Sequence, residues 1–477
     1  MPGYRLEEGR GMAEGYDVVI VGAGPAGIFT ALELVRQRSG LKVLILEKGH
    51  GLQRRVCPSQ ETRSSCLHCN PCSVVSGWGG AGAFSDGKLT LSPEVGGWLN
   101  EYIPQQDVTS LIDYVDKIYL HFGAPDRVYG GPDDERILDI QRQAILADLK
   151  LIPAPIRHLG TGRTQEILQA MKDYLEERGV EVRTETPVEE ILVDGHRVAG
   201  VVTRKGEEIK ARYVVLAPGR EGSDWLRKVA SKLGLKLAVN PVDVGVRVEV
   251  PAAVMEHLTS VIYESKFIFY SRKFDDRVRT FCMNPYGEVV LENNEGLVTV
   301  NGHSYAEKKT TNTNFALLVS KTFTEPFKEP IAYGRYVAQL ANLLGGGVLV
   351  QRLGDLLSGR RTTADRLEKG LVNPTLTEAT PGDLSLVFPY RHLTAIIEML
   401  QAMDKIAPGV YSRHTLLYGV EVKFYSSRLN LTRDLETNIR GLYAAGDGAG
   451  VTRGLAQASA AGVITARAIM AGTSARD

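Results

Sequence analysis

No stretch of the 477 residues stays apolar for the roughly 18 positions that a membrane span needs, so the sequence predicts no transmembrane helix. An excess of charge of one sign is missing as well. The chain sets 56 Lys and Arg against 56 Asp and Glu, which removes the electrostatic argument for nucleic acid or an anionic membrane surface as a partner. The first residues lack the charged, apolar and small-residue order of a secretory signal, and the expected compartment is the cytoplasm. Internal repeats and low-complexity tracts are absent. Cysteine is scarce, five in all, yet four of the five fall between positions 57 and 72. What remains is ordinary globular composition, long enough for about two to three domains.

The most specific stretch runs from Tyr16 to Gly49. Asp17-Val18-Val19-Ile20-Val21 is an apolar run of the kind required by a parallel strand buried on both faces. It breaks at Gly22-Ala23-Gly24-Pro25-Ala26-Gly27. In this pattern Gly22 permits the tight turn, Gly24 lets a pyrophosphate approach the backbone, and Gly27 lets the helix pack on the strand. The helix N-terminus offers amides and a positive dipole end to the phosphates. Val43-Leu44-Ile45-Leu46 reads as the next strand, and Glu47 at its end is placed to accept hydrogen bonds from a ribose diol.

The far end of the chain separates FAD from NAD. Leu442-Tyr443-Ala444-Ala445-Gly446-Asp447-Gly448 is a short apolar strand running into Gly-Asp, followed by a helix of small residues from about Gly454. This resembles the second fingerprint of the glutathione-reductase-type flavoproteins. The resemblance implies that Asp447 serves the ribityl and pyrophosphate side of FAD and that the following helix aims its dipole at the flavin pyrimidine edge. Ala211 to Gly219 resembles the crossover joining the halves of an FAD domain. The expected fold is therefore α/β, a Rossmann-type FAD-binding domain with an inserted α+β substrate or cap domain. Expected boundaries are 12–93, including the cysteine-rich loop, 151–234 and 429–477 for FAD binding, 94–150 for a helical insertion, and 235–428 for the cap.

On this reading the cofactor-binding residues are Gly22, Gly24, Pro25, Ala26, Gly27, Glu47 and Lys48 from the first fingerprint. Gly79, Gly80, Ala81, Gly82 and Ser85 join them from a glycine-rich run that can pass along the cofactor, since glycine is expected where backbone approaches a ligand closely. Val188, Ala217 and Gly219 come from the middle of the chain, and Gly446, Asp447, Gly454, Leu455 and Ala456 from its end.

Cys57, Cys66, Cys69 and Cys72 form the second informative feature. Two successive C-x2-C steps can wrap three thiolates around one centre, with Cys57 returning as a fourth, a pattern closer to a [4Fe–4S] cluster than to isolated thiols. Zinc held by four thiolates and a set of free or redox-active thiols stay open as alternatives. Candidate catalytic groups are Cys282 in a strand-like run, His158 in a polar glycine turn, and Lys88 after the glycine-rich run. Arg360, Arg361 and Lys423 are candidates for binding a substrate carboxylate.

Gly77 to Leu89, Gly359-Arg360-Arg361-Thr362-Thr363, Pro374-Thr375-Leu376-Thr377 and Gly419 to Arg428 are together similar to a family of FAD-dependent dehydrogenases related to the MnmG-like flavoproteins. That resemblance implies an FAD-dependent oxidoreductase; joined to the cysteine pattern, the first reading is transfer of hydride or electrons between FAD and an organic small-molecule substrate, with a cysteine-bound cluster relaying electrons from a carrier such as ferredoxin. An NAD(P)H-linked reductase without a cluster is the alternative, although a second GxGxxG is missing. A redox sensor or RNA-modification factor is the third reading, and neutral charge weighs against RNA.

Overall fold

The computed structural model describes residues 15–58, 69–84, 87–131, 134–238, 241–294, 297–304, 309–321, 323, 329–423 and 428–474. The chain divides into two compact units, Met1–Asp126 with His158–Ala238 and Ser426–Asp477, and Arg127–Arg157 with Val239–Tyr425.

The first unit grows from β1 (Tyr16–Val21), α1 (Pro25–Arg36) and β2 (Val43–Leu46). Val18, Val19 and Ile20 are completely buried, as a parallel strand covered on both faces requires. β1 lies between β2 and the strand Glu208–Leu216, parallel to both, with Val19 opposite Leu44 and Val214. Glu181–Arg183 continues the sheet beyond β2. On its other side the strand Glu208–Leu216 has two partners. Its first residues pair antiparallel with Arg197–Thr203, and its last pair parallel with Leu442–Ala444. Val188–Asp194 completes the meander next to Arg197–Thr203.

Thr161–Glu176 and Ser223–Leu233 are further helices of this unit, and two more pack on its frame. Gln105–His121 buries Val108, Leu111, Ile112, Val115, Ile118 and Tyr119, the spacing of one apolar helical face. Leu455–Ser474 is built largely of small residues. A Cβ at Gly462 would fall on the carbonyl oxygen of Ala26, so this helix and α1 meet backbone against backbone.

The strand Glu181–Arg183 ends just before Glu185, which adopts a φ of 55°. There the chain turns back to β2, with Glu185 N–H donating to Gly49 O and Thr186 N–H to Glu47 O. Residues 94–150 contribute Gln105–His121 to the first unit and Glu135–Leu146 to the second.

The second unit is organised by an eight-stranded sheet in the order Thr380–Pro381, Leu349–Arg352, Leu416–Lys423, Val242–Pro251, Asn312–Lys321, Arg277–Asn284, Lys266–Tyr270, Lys150–Ile152. Val242, Val244, Val246, Val248 and Val250 alternate into an apolar core covered by the helices Pro330–Gly345 and Tyr390–Asp404. Asp243, Arg247 and Glu249 point to the opposite face and are buried as well, so this face must satisfy its charges internally.

His392, in the helix Tyr390–Asp404, is 3% exposed, and neither ring nitrogen has a partner among the described residues. Burial, reinforced by Lys321 and Arg391, holds its pKa down at about 4 against the opposing pull of Asp276. The unfolded chain takes up a proton near the ordinary histidine value of about 6.5, which the folded chain refuses. Stability from the neutral ring is therefore present above pH ~6.5 and lost as pH falls toward the folded value. His392→Leu should remove this dependence, gaining about 2 kcal/mol relative to the parent between pH ~7.5 and ~5. Urea midpoints measured at both pH values check this, and parallel pH profiles of parent and variant would refute it.

Candidate functional site

The three glycines of the first turn answer to three different constraints. Gly22 has a φ of 107°, and a Cβ there would fall on the Ala217 carbonyl of the neighbouring strand. A Cβ at Gly27 would strike the Gly22 carbonyl. Gly24 is the N-cap of α1, with Pro25 following at the first helical position, and a Cβ there would meet nothing within 4 Å. The turn is therefore closed on the protein side and open at Gly24. No side chain caps α1, which leaves its first amides to an outside acceptor.

Glu47 is buried at the end of β2 and accepts three backbone hydrogen bonds. Oε2 takes Ala23 N–H at 2.8 Å, and Oε1 takes Gly49 N–H at 2.8 Å and Gly77 N–H at 3.0 Å. A carboxylate offers about four acceptor positions, so one remains for the ribose expected from the sequence. The same carboxylate fastens the glycine turn to the loop that follows the cysteines.

Arg55, which the sequence reading did not single out, is the partner of that fastening. It is 2% exposed and donates to the carbonyls of Ser73 (2.9 Å), Val74 (2.8 Å), Trp78 (2.7 Å) and Gly80 (2.8 Å). Its guanidinium also stacks on Phe84 at 4.7 Å. Burial lowers its pKa to about 10, while Glu47 and Cys72 favour the charged form, so it is a cation at neutral pH. A Cβ at Gly77 would collide with His50 O and, at 2.6 Å, with Arg55 Cδ. The glycine there makes room for the arginine.

The glycine-rich run is held against both fingerprints. Gly79 N–H donates to Ala23 O at 2.8 Å. A Cβ at Gly80 would lie 3.1 Å from Gly24 Cα, and one at Gly82 would lie 2.6 Å from Leu455 Cδ2. Ala81 sits between them in the turn Gly80–Phe84. Gly446 has a φ of 83° and comes within 3.0 Å of the Ala26 side chain, measured from the Cβ it lacks. Gly448 packs on the Gly219 carbonyl, and Ala217 and Ala456 are buried. Val188 is buried at the start of its strand. Lys48, expected at the cofactor, pairs with Glu221 at 3.2 Å, and Glu221 also accepts the Ser76 hydroxyl. Ser85 lies outside the described residues.

Asp447 anchors the other end. Its Oδ1 accepts the Thr452 hydroxyl at 2.9 Å, and Arg220 Nε stands 3.6 Å from Oδ2. Burial raises its pKa, opposed by Arg220, Thr452, Arg453 and the Gly454 amide. The loop before Trp98, also unmarked in the sequence reading, clasps the start of the final helix. Gln457 Nε2 donates to Pro93 O and Val95 O at 3.1 Å each, and Arg453 stacks on Trp98 at 4.2 Å.

Among the catalytic candidates, Lys88 and His158 flank a direct contact, since Leu159 N–H donates to Gly87 O at 2.9 Å. Cys282 belongs to the second unit. It has a φ of 44° at a bulge between Phe281 and Asn284, the kind of local irregularity that re-aims a side chain. Its carbonyl accepts Arg247 Nη1 at 3.0 Å and Asn284 Nδ2 at 2.9 Å. Arg247 is fully buried and forks onto Glu421 with two bonds of 2.7 Å. Burial works against both charges, yet each holds the other ionised, so the Glu421 pKa is lowered and that of Arg247 raised. Lys423, expected to bind a substrate carboxylate, lies 3.1 Å from Glu421, and Arg360 is held by Asp355 at 2.9 Å.

Cys57, Cys69 and Cys72 are free thiols, and Cys66 lies outside the described residues. Among the described residues, no three His, Cys, Asp or Glu side chains group as metal ligands.

Residues 15–267 match the model of the FAD binding domain, and residues 241–424 match the FAD-dependent protein, C-terminal domain-like model. A protein of Clostridium beijerinckii described as "Uncharacterized protein" is 28% identical over 473 residues, covering 95% of this chain and 80% of its own. Among solved structures, L-proline dehydrogenase from P. horikoshii aligns with a TM-score of 0.40 at 14% identity, over 97% of this chain and 95% of that one. The 3-ketosteroid-delta4-(5alpha)-dehydrogenase from Rhodococcus jostii RHA1 aligns with a TM-score of 0.43 at 16% identity, over 95% and 96%. With the FAD-domain match covering more than half of its length, from the open glycine turn through the crossover strand, the chain belongs to the FAD-dependent oxidoreductases.

Proposed function

We propose that this oxidoreductase transfers hydride or electrons between FAD and an organic small molecule, and that the two fingerprint ends hold the cofactor. The observation that carries the binding assignment is the asymmetry of the first turn, shut by protein at Gly22 and Gly27 and open at Gly24. In this reading the α1 amides receive the pyrophosphate, the remaining acceptor position of Glu47 takes the ribose, and Asp447 serves the ribityl side. The N-terminus of the helix Leu455–Ser474 favours negative charge on the flavin pyrimidine edge. Bound FAD supplies reversible uptake of a hydride or of single electrons. In the second unit, the Cys282 bulge over the Arg247–Glu421 pair is the proposed centre of substrate recognition.

The cysteine loop is the finer part of the proposal. Four cysteines within sixteen positions support a [4Fe–4S] cluster on Cys57, Cys66, Cys69 and Cys72, with zinc as the alternative. The Arg55 guanidinium ties the loop to Gly80. Ferredoxin-like carriers suit such a site. The lack of a second GxGxxG in the sequence counts against a dedicated NAD(P)H domain.

Three measurements test this reading. Glu47→Ala should weaken FAD binding at least tenfold, since hydrogen bonds to charged groups contribute about 1.5–3 kcal/mol each. Fluorescence titration of the apoprotein with FAD reads this, and unchanged affinity would remove Glu47 from the site. Stopped-flow reduction of the flavin should be faster with a low-potential one-electron carrier than with NADH or NADPH, and the opposite order would favour the pyridine-nucleotide reading. Anaerobically purified protein should contain about four irons per chain, lost in Cys69→Ser while FAD stays bound. One tightly held zinc would make the loop a structural clamp, and the absence of both metals would leave it a set of thiols.

A further inference from the structure

The first unit contains a second cavity that the cofactor reading does not use. The helix Gln105–His121, the last turns of the helix Leu455–Ser474 and the residues around Tyr213 and Tyr443 enclose about 870 Å³. Its wall includes Tyr114 and Arg467, which both bond Glu33 of α1, at 2.6 Å and 2.8 Å. Glu33 stands about 12 Å along α1 from its first residue, so this cavity is distinct from the Gly24 opening.

Its charge is uneven. Asp107, Asp434 and Glu436 contribute three carboxylates, and Arg440 and Arg467 two guanidiniums. Arg467 is already paired with the fully buried Glu33. Three carboxylates thus face one cation without a pair among the described residues. Glu436 spends one oxygen on the Gly441 amide at 2.6 Å, while Asp107 and Asp434 have no side-chain hydrogen bond or ion pair among the described residues.

An independent observation points to an occupant. The Tyr213 ring is 3% exposed, and its hydroxyl has no hydrogen-bond partner among the described residues. Buried polar atoms are normally paired, and one left unmade is costly. The hydroxyl stands at the cavity wall beside Gly472, where even a Cβ would lie 3.5 Å away. Tyr443 packs beside it with ring centroids 6.4 Å apart. Burial, then Glu436, raises the pKa of Tyr443, so it presents a neutral phenol ring. Aromatic faces combined with carboxylates suit a diffuse organic cation. A bare metal ion would need a tighter group of ligands, and among the described residues no such group exists.

We propose that this cavity binds an organic cation of the alkylammonium or guanidinium type, whose N–H groups are received by the Tyr213 hydroxyl oxygen and the carboxylates of Asp434 and Glu436. The cation can arrive as a free polyamine or as a basic side chain of another protein, and the same chemistry serves both.

Isothermal titration of the FAD-loaded full chain with spermidine, agmatine, a short lysine- and arginine-containing peptide and neutral 1,6-hexanediol tests the assignment. At least one cationic probe should bind and weaken with added salt, and the diol should not bind. The Asp434→Asn, Glu436→Gln double variant should lose at least tenfold in affinity for that probe. Tyr213→Phe should lose several-fold while its unliganded melting temperature stays equal or rises, because an unpaired buried hydroxyl has been removed. Gly472→Trp should block the cavity without changing FAD content. Tighter binding of spermidine or agmatine assigns a free ligand, and tighter binding of the peptide a protein partner. Failure of all cationic probes, equal binding of the diol, or full binding by the double variant would each overturn the proposal.

Discussion

The carboxylate of Glu47 gathers amides from three separate stretches of chain, at Ala23, Gly49 and Gly77, and the geometry of the nucleotide-binding unit depends on that gathering. The glycine turn, the end of β2 and the loop after the cysteines have no common secondary structure. They share an acceptor. Arg55 completes the arrangement from the opposite charge, collecting four carbonyls of the same loop. Backbone donors go to the acid and backbone acceptors to the base, so seven backbone groups find partners outside any sheet ladder. A rigid loop follows from two side chains rather than from a sheet or helix.

The second unit meets a similar demand differently. Its sheet is apolar on one face and carries buried charge on the other, and there Arg247 and Glu421 sit with no solvent contact. Desolvating two such ions costs several kcal/mol each in general, and the fork between them, together with Asn314 and the Cys282 carbonyl, offsets it. Gly302 belongs to the same arrangement, since any side chain there would collide with Asn314 and Arg247. The left-handed backbone of Cys282 is thus held by a polar network and not by packing alone.

The frame of the first unit could be read from the sequence because its constraints are local. Strand, turn, helix, strand and acid follow one another within Tyr16 to Glu47, and the Gly-Asp of residues 446–447 carries its own pattern. Arg55 escaped because its partners are carbonyls, which every residue has, so no pattern in sequence marks them. Gly79 has its nearest constraint in the side chain of Leu168, far along the chain, which no local pattern marks. Lys48 was read by its place beside Glu47, whereas its direction is decided by Glu221 from a distant segment. The bulge at Cys282 has no composition signal at all, since the residue adopts a conformation usually left to glycine.

The close crossing of α1 and the last helix, at Ala26 and Gly462, has a consequence for how the protein is made. In chain order the glycine turn precedes every segment of the second unit, and its covering helix follows them all. Until that helix emerges, α1 has the sheet and the helix Gln105–His121 beside it, with the Phe29 ring 5.1 Å from that of Tyr119, but lacks the close backbone neighbour at Gly462. The whole second unit, by contrast, can fold while synthesis continues, because its segments lie between those two ends. The two fingerprints therefore meet only after the segments of the second unit have been made.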